Sequence, residues 1–225
     1  MDTIRLPRSL FFLSIFYGGM VCIAGVLGNK QVSLGPISEI GNWVGVGPLA
    51  VEAGIFAFLL LVSVSSAVAE LHGPNTARRL VLVGFVPLLT SVALSWLVWT
   101  LPASPSMQPE SKAAIQMILG ATWRIWLGGI IAYGISQILN VTIFSALKSG
   151  GGKLMWLRAA IASVLSQIAD TLIFVSIAFY GVFPIGELLV GQMLSKVVLS
   201  IVLVPAMIYF FVAIGRALDG RRGLN

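Results

Sequence analysis

The sequence predicts an all-α membrane protein with six transmembrane helices and with both termini in the cytoplasm. Hydrophobic residues make up 58% of the 225 residues and charged residues only 10%, whereas about a quarter of the residues in a soluble domain are charged. The mean hydropathy is +0.99. Six apolar stretches are long enough for a helix of about 20 residues, the length that crosses a bilayer. We therefore expect residues 1–225 to form a single transmembrane domain.

The connections between the predicted spans differ in kind. The connection at 29–47 is rich in glycine, and the one at 70–79 contains the helix-breaking pair Gly73-Pro74. The connection at 102–120 begins with prolines and then predicts a short amphipathic surface helix. The predicted spans themselves lie at about residues 9–28, 48–69, 80–101, 121–147, 155–180 and 185–215.

Lysine and arginine residues are concentrated on one side of the predicted bundle. An even number of spans places both termini on the same side, and basic residues near the span ends mark the cytoplasmic side. The opposite loops carry only Lys30 and Lys112. The terminal segments and the loops on their side carry Arg5, Arg8, Arg78, Arg79, Lys148, Lys153, Arg216, Arg221 and Arg222. The net charge of +6 is therefore a topology signal, and we expect no nucleic-acid partner.

The fourth and fifth spans contain the same short text. Residues 135–144 read Ile-Ser-Gln-Ile-Leu-Asn-Val-Thr-Ile-Phe, and residues 165–174 read Leu-Ser-Gln-Ile-Ala-Asp-Thr-Leu-Ile-Phe. Consecutive spans run in opposite directions, so these two helices have the pattern of counterparts in an inverted repeat, with a site near the membrane midplane. A chance match between segments rich in isoleucine and leucine is the alternative.

Polar and aromatic residues of both spans recur at steps of three and four, which places them on one face of each helix. A face of this kind predicts a lined cavity between the two helices. On the fourth span the face consists of Trp126, Tyr133, Gln137, Asn140 and Phe144, and on the fifth of Ser163, Gln167, Asp170 and Phe174.

Two charged residues lie deep in the predicted membrane region. Asp170 is well inside the fifth span and Lys196 is at a similar depth in the sixth, where an ionised side chain costs about 2.5–3.5 kcal/mol. We expect the two to pair, with Gln137 and Gln167 as further hydrogen-bonding partners. A clamp between helices that binds no ligand is the alternative interpretation.

Charged residues near the span ends have simpler explanations. Arg124 lies in the first turn of the fourth span, from which it can reach the interface. Glu70 is expected to cap the second span or to form a salt bridge with Arg78 or Arg79. Glu52, near the other end of that span, is either a group at the access side or simply solvated.

The sequence argues against an enzyme and against a cofactor or metal site. Its only histidine, His72, lies in a predicted loop, so neither a histidine-rich metal site nor a histidine base beside a membrane serine is available. Its only cysteine, Cys22, cannot form an intrachain disulfide. A glycine-rich phosphate loop is also lacking.

The sequence resembles the queuosine precursor transporters, also described as vitamin-uptake-like transporters. The most specific part of the resemblance is the fifth-span block at 166–171. The other matching positions are Lys30-Gln31, Gly54, 70–73, 77–79, Arg124, 136–144, Arg158, 177–179, Lys196, Pro205 and Tyr209. The resemblance implies six transmembrane helices and import of 7-cyano- or 7-aminomethyl-7-deazaguanine across the bacterial inner membrane.

With this resemblance, the repeated faces become a candidate site for a flat base. Aromatic rings would cover the faces of the base, and amide and carboxylate groups would match its guanine-like edge. The candidate substrate-binding residues are Asp170, Gln167, Gln137, Asn140, Lys196, Tyr133, Phe144, Phe174 and Arg124.

The sequence departs from the family pattern at a few positions. Ser66 and Asn140 stand where relatives commonly carry aspartate, Gly25 where they often carry asparagine, and Leu59 where they often carry proline. Two missing carboxylates leave Asp170 as the only clear acid in the middle of the membrane, so the driving ion and the charge of the substrate stay open.

Rival functions remain from the sequence alone. One is a substrate-binding subunit of an ATPase-energised complex for vitamin or nucleobase uptake; another is a purely structural membrane protein. We expect a deazaguanine base and the lipid bilayer as partners, and we leave a homodimer open.

Overall fold

The structure is a computed structural model that describes residues 6–43, 45, 47–120, 123–149, 154–181 and 186–220. Within these ranges the chain is almost entirely helical. Its elements are α1 (Arg8–Leu27), β1 (Gln31–Ser33), a 3-10 turn (Gly35–Glu39), α2 (Ile40–Trp43), β2 (Ala50–Glu52), α3 (Gly54–His72), α4 (Pro74–Val83), α5 (Phe85–Thr100), α6 (Pro109–Leu119), α7 (Trp123–Ser149), α8 (Met155–Phe179) and α9 (Gly186–Gly220).

The prediction of six transmembrane helices is confirmed in the described part of the chain. The spans are Arg8–Leu27, Gly54–His72, Pro74–Thr100, Trp123–Lys148, Met155–Phe179 and Leu189–Gly220. The second span begins later than predicted because Ala50–Glu52 forms a strand. The third begins earlier, since α4 and α5 follow each other with only Gly84 between them.

Helix α3 lies at the centre of the bundle, in contact with α1, α4, α7 and α9. Its middle turns are built from small residues such as Ser63, Ser65, Ser66 and Ala67, all fully buried. Small side chains let neighbouring helices approach closely, which is how membrane bundles gain contact without a hydrophobic driving force between helices. The apolar length of α3 is therefore used for packing inside the protein.

Helix α5 has the opposite character, because none of its residues is buried. Many of its apolar side chains, including Trp96 and Trp99, are exposed, as expected for a helix that contacts lipid on one side, whereas Phe85 and Leu88 pack against the core. The break before it occurs at Gly84, where a Cβ atom would clash with the Tyr133 hydroxyl and lie 2.8 Å from the Tyr17 ring. Glycine is thus required for this close approach.

The ends of the first and last helices meet at one end of the bundle. The Ser9 backbone N–H donates to Asp219 Oδ1 at 3.1 Å, and the Ser9 hydroxyl donates to Asp219 Oδ2 at 2.5 Å. His72 Nε2 lies 2.7 Å from the same hydroxyl. We call this end the terminal side and the other end the far side. The cytoplasmic location of the termini stays a prediction, as does the inverted repeat.

The glycine-rich connection on the far side contains a small antiparallel sheet. Strand β1 pairs with β2 in the register Gln31↔Glu52, Val32↔Val51 and Ser33↔Ala50. The Ala53 N–H donates to the Lys30 carbonyl at 2.8 Å, which continues the pairing up to the start of α3. This sheet fixes the position of Glu52 at the mouth of the bundle.

Candidate substrate-binding site

A cavity of about 470 Å³ extends into the bundle from the far side. Helix α1 lines it only with its last turns and α7 only with its first turns, so it occupies the half of the bundle away from the termini. The volume is typical of small-molecule sites, which span about 300–1,000 Å³. Asn29, Gln31 and Glu52 lie near the mouth, and Tyr133 and Asp170 lie at the inner end, which we call the floor.

The floor contains the ion pair that the sequence predicts. Lys196 Nζ on α9 lies 3.2 Å from Asp170 Oδ2 on α8, and both residues are buried. Among the described residues, neither Gln137 nor Gln167 forms a hydrogen bond to this pair. The expectation that they would do so is therefore wrong. The Ser136 hydroxyl of α7 donates to Asp170 Oδ1 at 3.4 Å instead. The carboxylate therefore links three helices at the end of the cavity.

Tyr133 is fixed at the floor by its hydroxyl and by its ring. The hydroxyl donates to the Val81 carbonyl at 3.1 Å and lies 3.0 Å from the Tyr17 hydroxyl. Because Tyr133 has one hydroxyl hydrogen, Tyr17 is the donor in the second bond. The Phe85 ring meets the Tyr133 ring edge-on, with centroids 5.1 Å apart. The Tyr133 ring therefore presents a fixed surface to the cavity.

The walls of the cavity are apolar and aromatic. Phe174 on α8 and Trp126 on α7 both line it. The Phe174 ring packs edge-on against Phe179 with centroids 5.9 Å apart. Of the nine candidate residues, Asp170, Lys196, Tyr133 and Phe174 are among the described lining residues.

Asn140 and Gln137 lie in the interface between α7 and α3 rather than in the described lining of the cavity. The Asn140 amide donates to the Ser66 hydroxyl at 2.9 Å and to the Val62 carbonyl at 3.3 Å. The Gln137 side-chain carbonyl accepts a hydrogen bond from the Ser65 hydroxyl at 3.2 Å. Both amides are fully buried, and their contacts hold the two helices together.

Gln167 lies one helical turn from Asp170, toward the terminal side. Its side chain is fully buried, and neither its amide nitrogen nor its oxygen has a hydrogen-bond partner among the described residues. A buried polar group without a partner costs about 1–3 kcal/mol. Such a group would gain stability from a water molecule, a ligand or a rearrangement of the neighbouring helices.

A second ionic cluster closes the terminal side of the bundle. Glu70 Oε1 lies 2.9 Å from Lys148 Nζ, and Glu70 Oε2 lies 2.9 Å from the Arg158 guanidinium. The guanidinium carbon of Arg158 is 4.7 Å from the centroid of the Phe144 ring. We call Glu70, Lys148 and Arg158 the terminal clamp. Phe144 therefore contacts the clamp instead of the described cavity.

The expected pairing of Glu70 with Arg78 or Arg79 is wrong. Arg78 donates to the Thr142 hydroxyl at 3.3 Å instead. The sequence signal for the true partners is their position: Lys148 lies in the last turn of α7 and Arg158 in the first turn of α8, and these ends of two consecutive helices lie at the same end of the bundle.

Arg124 acts on the end of α8. Its guanidinium donates to the Ile177 and Tyr180 carbonyls, both at 2.9 Å. The last carbonyls of a helix have no intrahelical donor, and basic side chains commonly satisfy them. Arg124 is outside the described lining of the cavity.

Glu52, which the sequence offered as either a group at the access side or a solvated one, was not among the nine candidate binding residues. It lines the cavity, and its Oε1 accepts a hydrogen bond from the Gln192 amide at 3.1 Å. Gln192 precedes Lys196 by one turn of α9 and is itself buried. The family resemblance and the repeated text drew attention to α7 and α8, whereas Glu52 lies in a strand that hydropathy does not reveal.

Comparison with known proteins decides the family. The family model described as "Putative vitamin uptake transporter" matches residues 52–210, most of the chain and all of the cavity floor. The chain belongs to this vitamin uptake transporter family.

Two proteins that are similar in sequence to this chain are named as queuosine precursor transporters. A "Probable queuosine precursor transporter" of Bacillus subtilis (strain 168) is 32% identical over 141 residues, which are 60% of this chain and 61% of the relative. The "Queuosine precursor transporter" of Escherichia coli (strain K12) is 26% identical over 176 residues, 77% of this chain and 70% of the relative. The alignment thus spans less than two thirds of the Bacillus subtilis protein. No solved structure shows a significant match.

Proposed function

We propose that this chain imports a queuosine precursor, a 7-deazaguanine base, through the cavity of the bundle. The observation that carries the proposal is the buried Asp170–Lys196 pair at the floor of a cavity that reaches the far side. Ionisable groups inside a membrane protein mark substrate or ion pathways by default. The names of the aligned relatives support the class of substrate.

The floor is complementary to the edge of a guanine-like base. Such a base offers N–H donors at N1 and at its amino group, and a carbonyl acceptor beside them. The Asp170 carboxylate accepts hydrogen bonds only, and the Lys196 ammonium donates them only. The base can therefore bond to both members of the pair, with Tyr133 and Phe174 against its apolar faces.

The state of the two ends agrees with an importer. The cavity reaches the far side, while the terminal clamp and the Ser9–Asp219 bonds hold the other end together. If the termini lie in the cytoplasm, as the basic residues predict, this arrangement corresponds to the outward-open state of a transporter. Release then requires the terminal clamp to open, and the unpartnered Gln167 lies between the floor and that clamp.

The remaining candidate residues act through the bundle in this proposal. Asn140 and Gln137 hold α7 against α3, Phe144 supports the clamp through Arg158, and Arg124 holds the end of α8. They position the helices that carry the floor and do not touch the base in the outward-open state.

The test is uptake by a host that can neither make nor import the precursor, with queuosine in its transfer RNA as the readout. Expression of this chain should restore queuosine when either base is supplied outside, and Asp170→Ala should not. Membrane insertion of both proteins is checked with a tag. A correctly inserted chain that restores nothing, beside a relative that does, would show that the substrate is wrong.

Purified protein separates this proposal from the ATPase-energised alternative. In liposomes that contain only this chain, the base should accumulate inside without any partner subunit. Accumulation that appears only after an ATPase complex is added would assign the chain to the binding-subunit class.

A further inference from the structure

The charges that line the cavity do not balance. The described lining contains two carboxylates, Glu52 and Asp170, and one ammonium, Lys196. Lys196 pairs with Asp170 at 3.2 Å. Among the described residues, no lysine or arginine lies within salt-bridge distance of Glu52, whose one side-chain bond comes from the neutral Gln192 amide. The described lining therefore has a net negative charge. The carboxylate without an ion-pair partner, Glu52, lies near the mouth.

Glu52 is held at a defined height above the floor. Gln192 and Lys196 are four residues apart on α9, so they share a face and are separated by about 6 Å along the axis. Glu52 bonds to Gln192 and Asp170 bonds to Lys196. The two carboxylates therefore contact the same helix, α9, at positions one helical turn apart, with Glu52 nearer the mouth.

The backbone around Glu52 leaves it little freedom to turn away. Glu52 ends the paired strand opposite Gln31. Two residues later, a Cβ atom on Gly54 would lie 2.7 Å from the Ala24 carbonyl oxygen, so this segment is pressed against α1. Lys30, the nearest cation along the paired strand, is exposed and lies outside the described lining.

A second acceptor lies beside the Glu52 carboxylate. Gln192 is 3% exposed, and its Oε1 is buried without a partner among the described residues. A primary ammonium group has three N–H donors and no acceptor. In this subsite it would donate to Glu52 and to Gln192 Oε1 together. This would neutralise the Glu52 carboxylate and give Gln192 Oε1 the hydrogen-bond donor that it lacks.

We propose that Glu52 and Gln192 form a subsite for a primary ammonium group, and that this subsite selects the aminomethyl base over the neutral cyano base. The inference rests on the proposed function. The substituent of a 7-deazaguanine is on the five-membered ring, whereas the donors that suit Asp170 are on the six-membered ring. A base bound to the floor by those donors holds its five-membered ring away from the floor, and in this proposal its substituent lies beside Glu52.

The experiment measures binding of the two bases to purified full-length protein in nanodiscs, for wild type, Glu52→Gln and Glu39→Gln. Glu39 is the matched control, because it is an exposed carboxylate of the same connection that bonds Asn42 and does not line the described cavity. Glu52→Gln should weaken the aminomethyl base by about tenfold to a hundredfold, the range for a lost hydrogen bond to a charged group. The cyano base should change by less than about twofold.

Three results would overturn the inference. Equal losses for both bases would make Glu52 a general structural residue, and no loss for either would remove it from the site. A loss for both bases that disappears when sodium is replaced by choline would assign Glu52 to an inorganic cation.

A second variant, Gln192→Leu, keeps the carboxylate and should weaken binding of the aminomethyl base selectively, but by less than Glu52→Gln does. Wild-type protein that binds neither base contradicts the proposed function itself, and the inference with it.

Discussion

The two copies of the repeated text on α7 and α8 share Ser, Gln, two Ile and Phe in register, but they differ at the Asn140/Asp170 position and in their surroundings. Asn140 of the first copy is fully buried in the interface with α3, where serine hydroxyls and a backbone carbonyl accept hydrogen bonds from its amide nitrogen. Asp170 of the second copy lies at the end of a cavity and contacts a lysine of α9. The corresponding position of the repeat thus holds α7 against α3 in the first copy and is a candidate binding group in the second.

The difference comes from the helix that faces each copy. Helix α3 offers small neutral hydroxyls, which suit an amide, whereas α9 offers an ammonium, which a buried carboxylate needs to offset its desolvation. Ser66 and Asn140, the two positions at which the expected family acids are missing, bond to each other at 2.9 Å. The two departures from the expected pattern therefore belong to one contact between α3 and α7.

The largest effect should follow from breaking the charged copy. Asp170→Asn leaves a buried ammonium without its partner, so it should abolish uptake and lower the free energy of unfolding by about 3–5 kcal/mol. The double variant Asp170→Asn with Lys196→Met removes both charges and should regain most of that stability. Thermal unfolding in detergent and uptake in the complemented host measure the two quantities.

The double variant also decides what the pair is for. It should remain inactive although it is stable, because the base has lost its acceptor. Uptake by the stable double variant would mean that the pair only clamps α8 to α9.

A smaller but sharper contrast is expected for the two glutamines of the repeat. Gln137→Leu breaks the bond to Ser65 and should cost about 1–2 kcal/mol of stability with uptake per folded molecule preserved. Gln167→Leu removes an amide that has no described partner, so stability should stay equal or rise, whereas uptake should be lost. Unfolding curves and uptake rates of the two variants, measured side by side, test this prediction. It is contradicted if both variants show the same changes in stability and in uptake.

The smallest effect is expected at Tyr133, which lies between the packed interface of α7 and the cavity. Tyr133→Phe keeps the ring but leaves the Val81 carbonyl and the Tyr17 hydroxyl without their partner. We expect a stability loss of about 1 kcal/mol and an uptake loss of a fewfold. Tyr133→Ala is the control that also removes the ring, and it should lose most of the uptake. Equal rates for the two variants would show that the ring does not contact the base.

Hydropathy and depth were sufficient for much of this architecture. Six spans follow from apolar length, and the Asp170–Lys196 pair follows from counting residues down two helices. Helical spacing also placed Tyr133 and Phe144 on one face correctly. Spacing does not tell which neighbouring helix packs against each turn of α7. It therefore did not separate Tyr133, at the cavity, from Phe144, at the clamp.

Long-range partners were the main features that the sequence did not reveal. Glu70 has arginines close by in the chain, yet it pairs with cations on α7 and α8, because the last turn of α7 and the first turn of α8 lie beside it. The role of Gly84 depends on two tyrosines from other helices. Such contacts are set by the arrangement of the helices, which no local pattern encodes.

The bonds between Ser9 and Asp219 have a consequence for how the protein is made. The two residues are 210 positions apart in the chain, so Ser9 has to wait for this partner until the end of α9 has been synthesised. At the usual pace of translation this delay is roughly 10 to 40 s. During that interval the start of α1 lacks the carboxylate that later accepts its hydrogen bonds. The last turn of α9 therefore completes the contact between the first and the last helix.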